Sequence, residues 1–289
     1  MVRKHIWGVI EPFVIYYLVY SAVFLIVTFL CRTVAAGLGD EYLAYLVAHA
    51  ETVTGLVSGL AMIVAVMPLM PMLRRELDGN REDSHVSGER QSSQTAQSGG
   101  EGSEYRETGM GVRYRKQASV FITVLLAAAS SVGLNILLTL TGLVQASVSY
   151  QDVAQRQYGV AFGAGVVLFG LISPVTEEIV FRGLIFNRLR RYCPHVVAVV
   201  LSGVMFGVYH GNLAQGVYGG CMGVLMAYLY ERMHSFFIPC LFHGTANLVV
   251  YLIAHNTVLH GKVFTVTGCA GLLLLSGICV WIVEALHAK

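Results

Sequence analysis

The hydrophobic residues of this 289-residue chain fall into long runs separated by short polar stretches. Runs such as 14–31, 53–73 and 120–144 reach about the 20 residues that a helix needs to cross a hydrocarbon core of roughly 30 Å. The pattern therefore predicts an all-α fold, a polytopic membrane bundle of about eight transmembrane helices. The predicted spans are 10–31, 53–73, 119–144, 159–176, 195–210, 213–230, 236–254 and 263–285.

One long hydrophilic stretch, residues 74–117, interrupts the pattern after the second span. It contains GERQSSQTAQSGGEGSE, whose Ser, Gln, Gly and Glu content cannot build a packed core. We expect a disordered loop there. The chain then divides into an N-terminal two-span membrane segment (1–73), the loop (74–117) and a C-terminal membrane core (118–289).

Composition agrees with a membrane protein and argues against several other classes. The chain is 55% hydrophobic and 12% charged, whereas a soluble domain carries about 25% charged residues. Its formal net charge of +2 is too small to indicate a nucleic-acid partner. Its six cysteines form no C-x-x-C pair, so the sequence indicates neither a zinc knuckle nor a disulfide framework.

Lysine and arginine predict the orientation, because they are enriched in cytoplasmic loops. Arg3 and Lys4 precede the first span, further cations lie within 74–116, and three arginines occur at 188–191. The segment 35–52, in contrast, carries three acids and no cation. We therefore expect both termini and the 74–117 loop to lie in the cytoplasm.

Ionisable side chains inside apolar segments are energetically costly and mark functional sites by default. This chain concentrates them after residue 170, in TEEIVFRG, FGVYH and HGTAN. The polar and aromatic residues of these three motifs are Glu177, Glu178, Arg182, Phe206, His210, His243 and Asn247.

Helical spacing suggests different roles for the two adjacent acids. Glu178 and Arg182 are one turn apart, so they can form an ion pair that makes both charges tolerable in a low-dielectric site. Glu177 points about 100° away from Glu178. It is then free to hold a water molecule and accept its proton as a general base.

The two remaining motifs supply further polar groups. His243 and Asn247 are one turn apart, so their N–H groups can converge on a developing oxyanion. His210 can orient the same water or bind a metal, and Phe206 is expected to shape the wall. The predicted spans place Glu177 and His210 near opposite faces of the membrane. Pro174 and residues 211–212 are the candidates for interrupting the helices and bringing both to one depth.

The succession EExxxR, FxxxH and HxxxN on hydrophobic helices resembles the type II CAAX prenyl endopeptidase family, also called the CPBP or Abi family, of intramembrane proteases. The resemblance covers roughly residues 120–285. It implies that Glu177 is the catalytic base, that His210 is its partner on the water, and that His243 and Asn247 form the oxyanion hole. Glu178 and Arg182 then support the site.

The same resemblance leaves the cofactor and the substrate open. No cofactor is required by the motifs, and a divalent metal such as zinc is an alternative, with Glu177, His210 and His243 as candidate ligands. The expected partners are a membrane-associated protein or peptide substrate and the lipid bilayer. The substrate is either a CAAX protein or a bacteriocin-like peptide undergoing maturation. The expected location is the plasma membrane of a prokaryote.

Each motif also has a structural interpretation. The Glu–Arg pair can anchor a span at the interface, and the histidines can bond neighbouring helices. A transporter or a non-catalytic self-immunity protein that uses these residues as a polar network is therefore the alternative function. Asn135 is interpreted as a helix-packing residue, and Trp7, Tyr16 and Trp281 as members of an aromatic belt.

Overall fold

The computed structural model describes residues 2–78, 109–256 and 264–288, and within these ranges it contains helices and no strand. Besides the ten longer helices, these ranges contain one short helical turn, Leu143–Ala146. The helices are α1 (Val2–Leu38), α2 (Asp40–Ala48), α3 (Ala50–Asp78), α4 (Gly109–Leu140), α5 (Val148–Tyr158), α6 (Phe162–Arg190), α7 (His195–Tyr209), α8 (Leu213–Met233), α9 (Phe237–Ala254) and α10 (Val266–His287).

Six of these helices, α1, α3, α4, α6, α9 and α10, are long and apolar enough to cross a membrane. Helix α7 is apolar but has only 15 residues, and the glycine-rich α8 has 21 residues without reaching the same apolar character. The predicted polytopic helical membrane bundle is confirmed. The count of eight complete spans stays a prediction.

Several predicted boundaries differ from the observed helices. Helix α6 continues to Arg190 instead of ending near residue 176. The charged residues after position 176 ended the predicted span, but Glu177, Glu178 and Arg182 are buried within the fold and Glu178 pairs with Arg182. Both ends of the predicted 74–117 loop are helical, since α3 runs to Asp78 and α4 begins at Gly109. The middle of that loop, residues 79–108, lies outside the described residues.

The longer α6 brings Glu177 and His210 to a common depth. Helices α6 and α7 are consecutive and are joined by a short turn at residues 191–194. Glu177 precedes Arg190 by about 20 Å of helix, and His210 follows the first residue of α7 by about 22 Å, at 1.5 Å per residue. The conflict between the two predicted depths therefore arose from the predicted end of the fourth span.

Helices α1 and α3 pack onto the C-terminal helices and share their hydrophobic core. On α1, Val9, Phe13, Tyr16 and Tyr20 recur at helical spacing and join the core. Elsewhere on α1, large apolar side chains such as Phe29 are exposed, as expected for a surface that faces lipid. The N-terminal segment is therefore one wall of the bundle.

Helices α7 and α8 approach each other backbone to backbone through glycine. A Cβ atom added at Gly207 would lie 2.4 Å from the carbonyl oxygen of Gly216, and one added at Gly203 would lie 2.7 Å from the backbone nitrogen of Val224. Small residues permit such close packing between membrane helices. This contact fixes the hairpin that carries Phe206 and His210 on one side and Gly223 on the other.

One end of the bundle is held by ion pairs between helices, and we call it the arginine end. Its buried member is Glu76 of α3, which accepts hydrogen bonds from Arg188 of α6 (3.1 Å) and from Arg191 in the turn that follows α6. Arg188 also bonds Glu11 of α1 at 3.2 Å. The N-terminal helices are therefore tied to α6 at this end.

Two further pairs complete the arginine end. Arg190 of α6 bonds Glu231 of α8 at 3.0 Å. Arg232 of α8 bonds Glu284 of α10, with 3.0 Å between Nε and Oε1. Together with Glu76 and its two arginines, these pairs join five helices at one level.

Replacing Glu76 by Gln should lower the stability of the protein by about 2 kcal/mol, because two arginines lose a charged hydrogen-bond acceptor at a buried position. A thermal unfolding scan in detergent checks this expectation. The matched control is Glu41→Gln, on the exposed surface of α2. Equal unfolding temperatures for the two variants would contradict the role of Glu76.

Candidate active site

The two adjacent acids of α6 face different environments. Glu177 lies on the wall of a cavity of about 480 Å³. The Glu178 side chain is fully buried and turned into the bundle, where it meets Arg182. The structure thus contains both the ion pair and the divergent directions predicted from the spacing.

Glu178 and Arg182 form a buried charged cluster with His243 of α9. Glu178 Oε1 accepts hydrogen bonds from Arg182 NH1 (2.8 Å) and from His243 Nδ1 (2.9 Å). Arg182 NH2 donates to the carbonyl oxygen of Gly223 on α8 at 2.8 Å. The guanidinium carbon lies 4.8 Å from the centre of the Phe206 ring, in cation–π contact. The cluster therefore joins α6, α7, α8 and α9.

Helix α6 is irregular around the acids. Two π-helical segments, Leu168–Ile172 and Ile179–Phe186, flank the α-helical Ser173–Glu178. The Ser173 N–H donates to the carbonyl of Leu168, and Pro174 has no N–H to donate. Neither residue therefore supplies a donor to the carbonyl of Phe169. Asn247 fills this place, since its Nδ2 donates to Phe169 O at 3.1 Å.

Glu177 is held from one side and open on the other. Its Oε1 accepts a hydrogen bond from Ser173 Oγ at 2.7 Å, one turn earlier on α6. Its Oε2 lies 3.8 Å from His243 Nε2. This separation is too long for a direct hydrogen bond, and one water molecule can bridge the two atoms.

His210 ends α7 and also lines the cavity. Its Nδ1 is 2.8 Å from the carbonyl oxygen of Phe206. Because a carbonyl only accepts, Nδ1 carries the hydrogen, and Nε2 of the neutral ring is an acceptor. Phe206 does more than shape a wall, since its ring packs edge-on against His210 (4.9 Å) and His243 (5.4 Å) between ring centres.

The cavity brings together the four predicted catalytic residues Glu177, His210, His243 and Asn247. The expected convergence of the two donors of His243 and Asn247 is only partly seen. The Nδ1 atom of His243 and the Nδ2 atom of Asn247 each already bond an acceptor within the protein. The atoms left for a ligand are His243 Nε2, the second Asn247 N–H and the Asn247 oxygen.

Other residues of the cavity were not singled out by the sequence. Tyr20 of α1 and Met62 of α3 line it, and the Tyr20 hydroxyl is held 2.9 Å from Ser58. No sequence signal marks them, because they lie in different spans from the motifs. Ser173 does have a signal, since it lies one helical turn before Glu177.

One residue has surroundings that differ from its predicted ones. Tyr16 is buried beside Thr176 and Tyr209, so its assignment to the aromatic belt was wrong, whereas Trp7 and Trp281 are exposed. Asn135 interacts with Tyr218 of α8, as expected of a helix-packing residue, and it also lines the cavity. The helical periodicity alone could not tell which of these side chains faces the cavity.

The donor set was also tested for a metal site. Among the described residues, no group of three or more His, Cys, Asp and Glu side chains is placed to hold a metal ion. Glu177 and His243 approach each other, but the arrangement does not provide a three-ligand set. Metal dependence therefore stays a prediction for experiment.

Comparison with known proteins bears on the same segment. Residues 159–249, which include all seven motif residues, match the family model described as type II CAAX prenyl endopeptidase Rce1-like. We refer to this matched segment as the Rce1-like domain. The family resemblance drawn from EExxxR, FxxxH and HxxxN is thereby confirmed.

A curated relative extends the likeness beyond the Rce1-like domain. The chain is 28% identical over 141 residues to "Putative membrane peptidase YdiL" of Bacillus subtilis (strain 168). That match covers 42% of this chain and 57% of the relative, so the chain spans little more than half of its length. No solved structure matches the chain significantly. Helices α1 and α3 lie outside the Rce1-like domain, yet they line its cavity.

Replacing Glu178 by Gln should destabilise the protein by about 3–5 kcal/mol, because the fully buried Arg182 then loses its anionic partner. Unfolding in detergent, followed by thermal shift, measures the loss. Glu284→Gln is the control, since Glu284 pairs with Arg232 at a half-exposed position and such pairs contribute little. A loss no larger than that of the control would show that the buried cluster does not stabilise the fold.

Proposed function

We propose that the protein is an intramembrane endopeptidase that hydrolyses a peptide bond of a membrane-associated protein or peptide. The observation that carries this proposal is the pair formed by Glu177 Oε2 and His243 Nε2, 3.8 Å apart on the wall of one cavity. The Rce1-like domain and the relative named as a membrane peptidase support it.

In the proposed reaction Glu177 is the general base. A water molecule between Glu177 and His243 gives its proton to the carboxylate as its oxygen adds to the substrate carbonyl carbon. Ser173 donates a hydrogen bond to Oε1 of Glu177, so Oε1 is held away from this water and Oε2 faces it. Glu177 then passes the proton to the leaving nitrogen, the C–N bond breaks, and the products are a carboxylic acid and an amine.

His243 and Asn247 are proposed to bind the oxyanion. Glu178 accepts the Nδ1 hydrogen of His243, so a hydrogen carried on Nε2 would point into the cavity beside Glu177. The amide nitrogen of Asn247 has a second hydrogen besides the one given to Phe169. The Nε2 acceptor of His210 is proposed to orient the water.

The substrate class, location and orientation are part of the proposal. The two candidate substrate classes are CAAX proteins and peptides of the bacteriocin type undergoing maturation, and the proposed cellular location is the plasma membrane of a prokaryote. The arginine end faces the cytoplasm together with both termini, because cations are retained on that side.

A transporter or self-immunity protein makes a different prediction from an enzyme. It would bind or conduct a ligand without forming new peptide termini, and its function would depend on a continuous polar path. Variants of Glu177, His243 and Asn247 separate these possibilities, because bond cleavage by each of them can be measured directly.

Glu177→Gln should abolish cleavage while leaving the protein folded, because the amide keeps the shape of the side chain and cannot accept the proton. Peptides released by cells that express the wild type or the variant are compared by mass spectrometry. Glu284→Gln is the matched control with an unaltered cavity. Identical peptide patterns for wild type and Glu177→Gln would rule out Glu177 as the base.

His243→Ala and Asn247→Ala should each lower kcat by about 10²–10³ with little change in KM, because an oxyanion donor acts mainly in the transition state. The double variant should lose less than the product of the two single losses, since both donors serve one oxygen. Steady-state rates on one peptide that the wild type cleaves provide the measurement.

The control for these variants is His255→Ala, a histidine of the same α9 region that does not line the cavity. Full activity of the folded His243→Ala variant would show that His243 does not stabilise an oxyanion. Loss of wild-type activity on chelation, with recovery on added zinc, would instead assign His243 to a metal.

A further inference from the structure

The cavity occupies only one half of the bundle, the half away from the arginine end. On α6 its lining residues Phe169 and Ser173 precede Glu177 and lie far from Arg190. On α4 and α9 they include Leu138 and Tyr251, near the ends of those helices, and on α8 they include Tyr218, near its start. These ends all lie opposite the arginine end.

Glu177 lies on the wall of this cavity and near the middle of α6. About 20 Å of helix separates it from Arg190, and about 22 Å separates it from Phe162, at 1.5 Å per residue. A hydrocarbon core is about 30 Å thick. The acid is therefore near mid-membrane, and the cavity leads from it towards the end that contains α5.

Positive charge is concentrated at the opposite end. Besides the four arginines of the interhelical ion pairs, Arg74 and Arg75 lie near the end of α3, and Arg115 and Lys116 lie in the first turns of α4. These residues flank helices that are long enough to cross the bilayer, where the charge bias is most informative. The arginine end is therefore the cytoplasmic end.

The cavity end has few cations. Arg32 and Arg156 are the two in the described residues, and Lys262 is in the sequence between α9 and α10. Acids outnumber the cations at this end of the described residues, with Asp40, Glu41, Glu51 and Asp152 against Arg32 and Arg156.

Helix α5 forms the outer part of the cavity wall. Its lining residues Tyr150, Ala154, Gln157 and Tyr158 recur at helical spacing and so share one face. The other face is exposed and polar, for example at Gln155. An amphipathic helix of this kind lies along the membrane surface, beside the place where a peptide must enter.

We propose that this site takes its substrate from the non-cytoplasmic side of the membrane, as an extended and uncharged segment of an exported or outer-leaflet peptide. The inference rests on the proposed peptidase function for the identity of the ligand, and on the cavity and the charges for the side. A CAAX protein presented from the cytoplasm does not fit this orientation.

The lining chemistry supports the uncharged segment. Among the described lining residues there is no lysine or arginine, and the only carboxylate is that of Glu177. Neutral hydrogen-bonding groups such as Asn135, Gln157 and Gln215 are spread along the wall. Burial raises the pKa of Tyr150 and of Tyr158, so both phenols stay neutral and can bond a peptide backbone.

Cysteine accessibility in intact cells tests the side directly. Gln155→Cys on α5, Val250→Cys on the cavity wall and Asp78→Cys at the arginine end are each labelled with a small, membrane-impermeant thiol reagent. Leu252→Cys, on the lipid-exposed side of α9, is the matched control for Val250→Cys. Labelling of the wild type gives the background from native cysteines.

We expect Gln155→Cys and Val250→Cys to react in intact cells, Asp78→Cys to react only after permeabilisation, and Leu252→Cys to react in neither case. Labelling of Val250→Cys only after permeabilisation would overturn the proposal. Reaction of Asp78→Cys in intact cells would overturn it as well, because the arginine end would then face outwards.

The peptide comparison separates this inference from the proposed function. We expect the peptides that depend on Glu177 to derive from uncharged segments at the outer face. Cleavage that depends on Glu177 but occurs at cytoplasmic or highly charged sites would support the peptidase function and contradict the inferred substrate. If labelling is as expected but no product depends on Glu177, the peptidase function and the peptide substrate would both be contradicted. Only the inference that the cavity opens on the non-cytoplasmic side would then be supported.

Discussion

The fold depends on keeping the Glu178–Arg182 pair inside a bundle that is surrounded by lipid. Burying two charges is tolerable only when their neighbours compensate both of them. His243 and Arg182 share one oxygen of Glu178, and Arg182 also uses the Gly223 carbonyl and the face of Phe206. Glu178 Oε2 and Arg182 Nε have no partner within the described residues. Hydrogen bonds therefore do not satisfy every polar atom of the pair. The charges also depend on the neighbouring charged and polar groups, so the helices that carry these groups must stay close.

That closeness explains the unusual backbone around the site. Glycines on α7 and α8 let the two backbones meet, which brings the Gly223 carbonyl to Arg182. The π-helical segments of α6 and the missing N–H of Pro174 leave the Phe169 carbonyl to Asn247. π-Helical segments occur frequently at functional sites because they expose backbone groups that a regular helix would pair internally. Here that carbonyl orients a proposed catalytic amide.

Much of the site was predictable because each motif contains two residues that are four positions apart, which is about one turn of a helix. Helical spacing alone indicated that Glu178 faces Arg182 and that Glu177 points elsewhere, and the structure contains both features. Hydropathy windows misplaced the end of α6, because they cannot recognise a charge that is buried with a partner. The contributions of Tyr20, Met62 and α5 were not predictable, since spacing within a helix carries no information about which helices are neighbours.

The arginine end links these observations, because its residues attach the N-terminal helices and are also the basis of the proposed orientation. Arg188 reaches both Glu11 of α1 and Glu76 of α3, so the helices outside the Rce1-like domain are fixed against α6. About 16 Å of helix before Arg188 on α6, those two helices contribute Tyr20 and Met62 to the cavity that Glu177 lines. Ion pairs at the aqueous boundary can form this attachment without burying further charge at mid-membrane, where Glu178 and Arg182 already require the available polar partners. The cavity can then widen at the other end, where the described helices carry few cations.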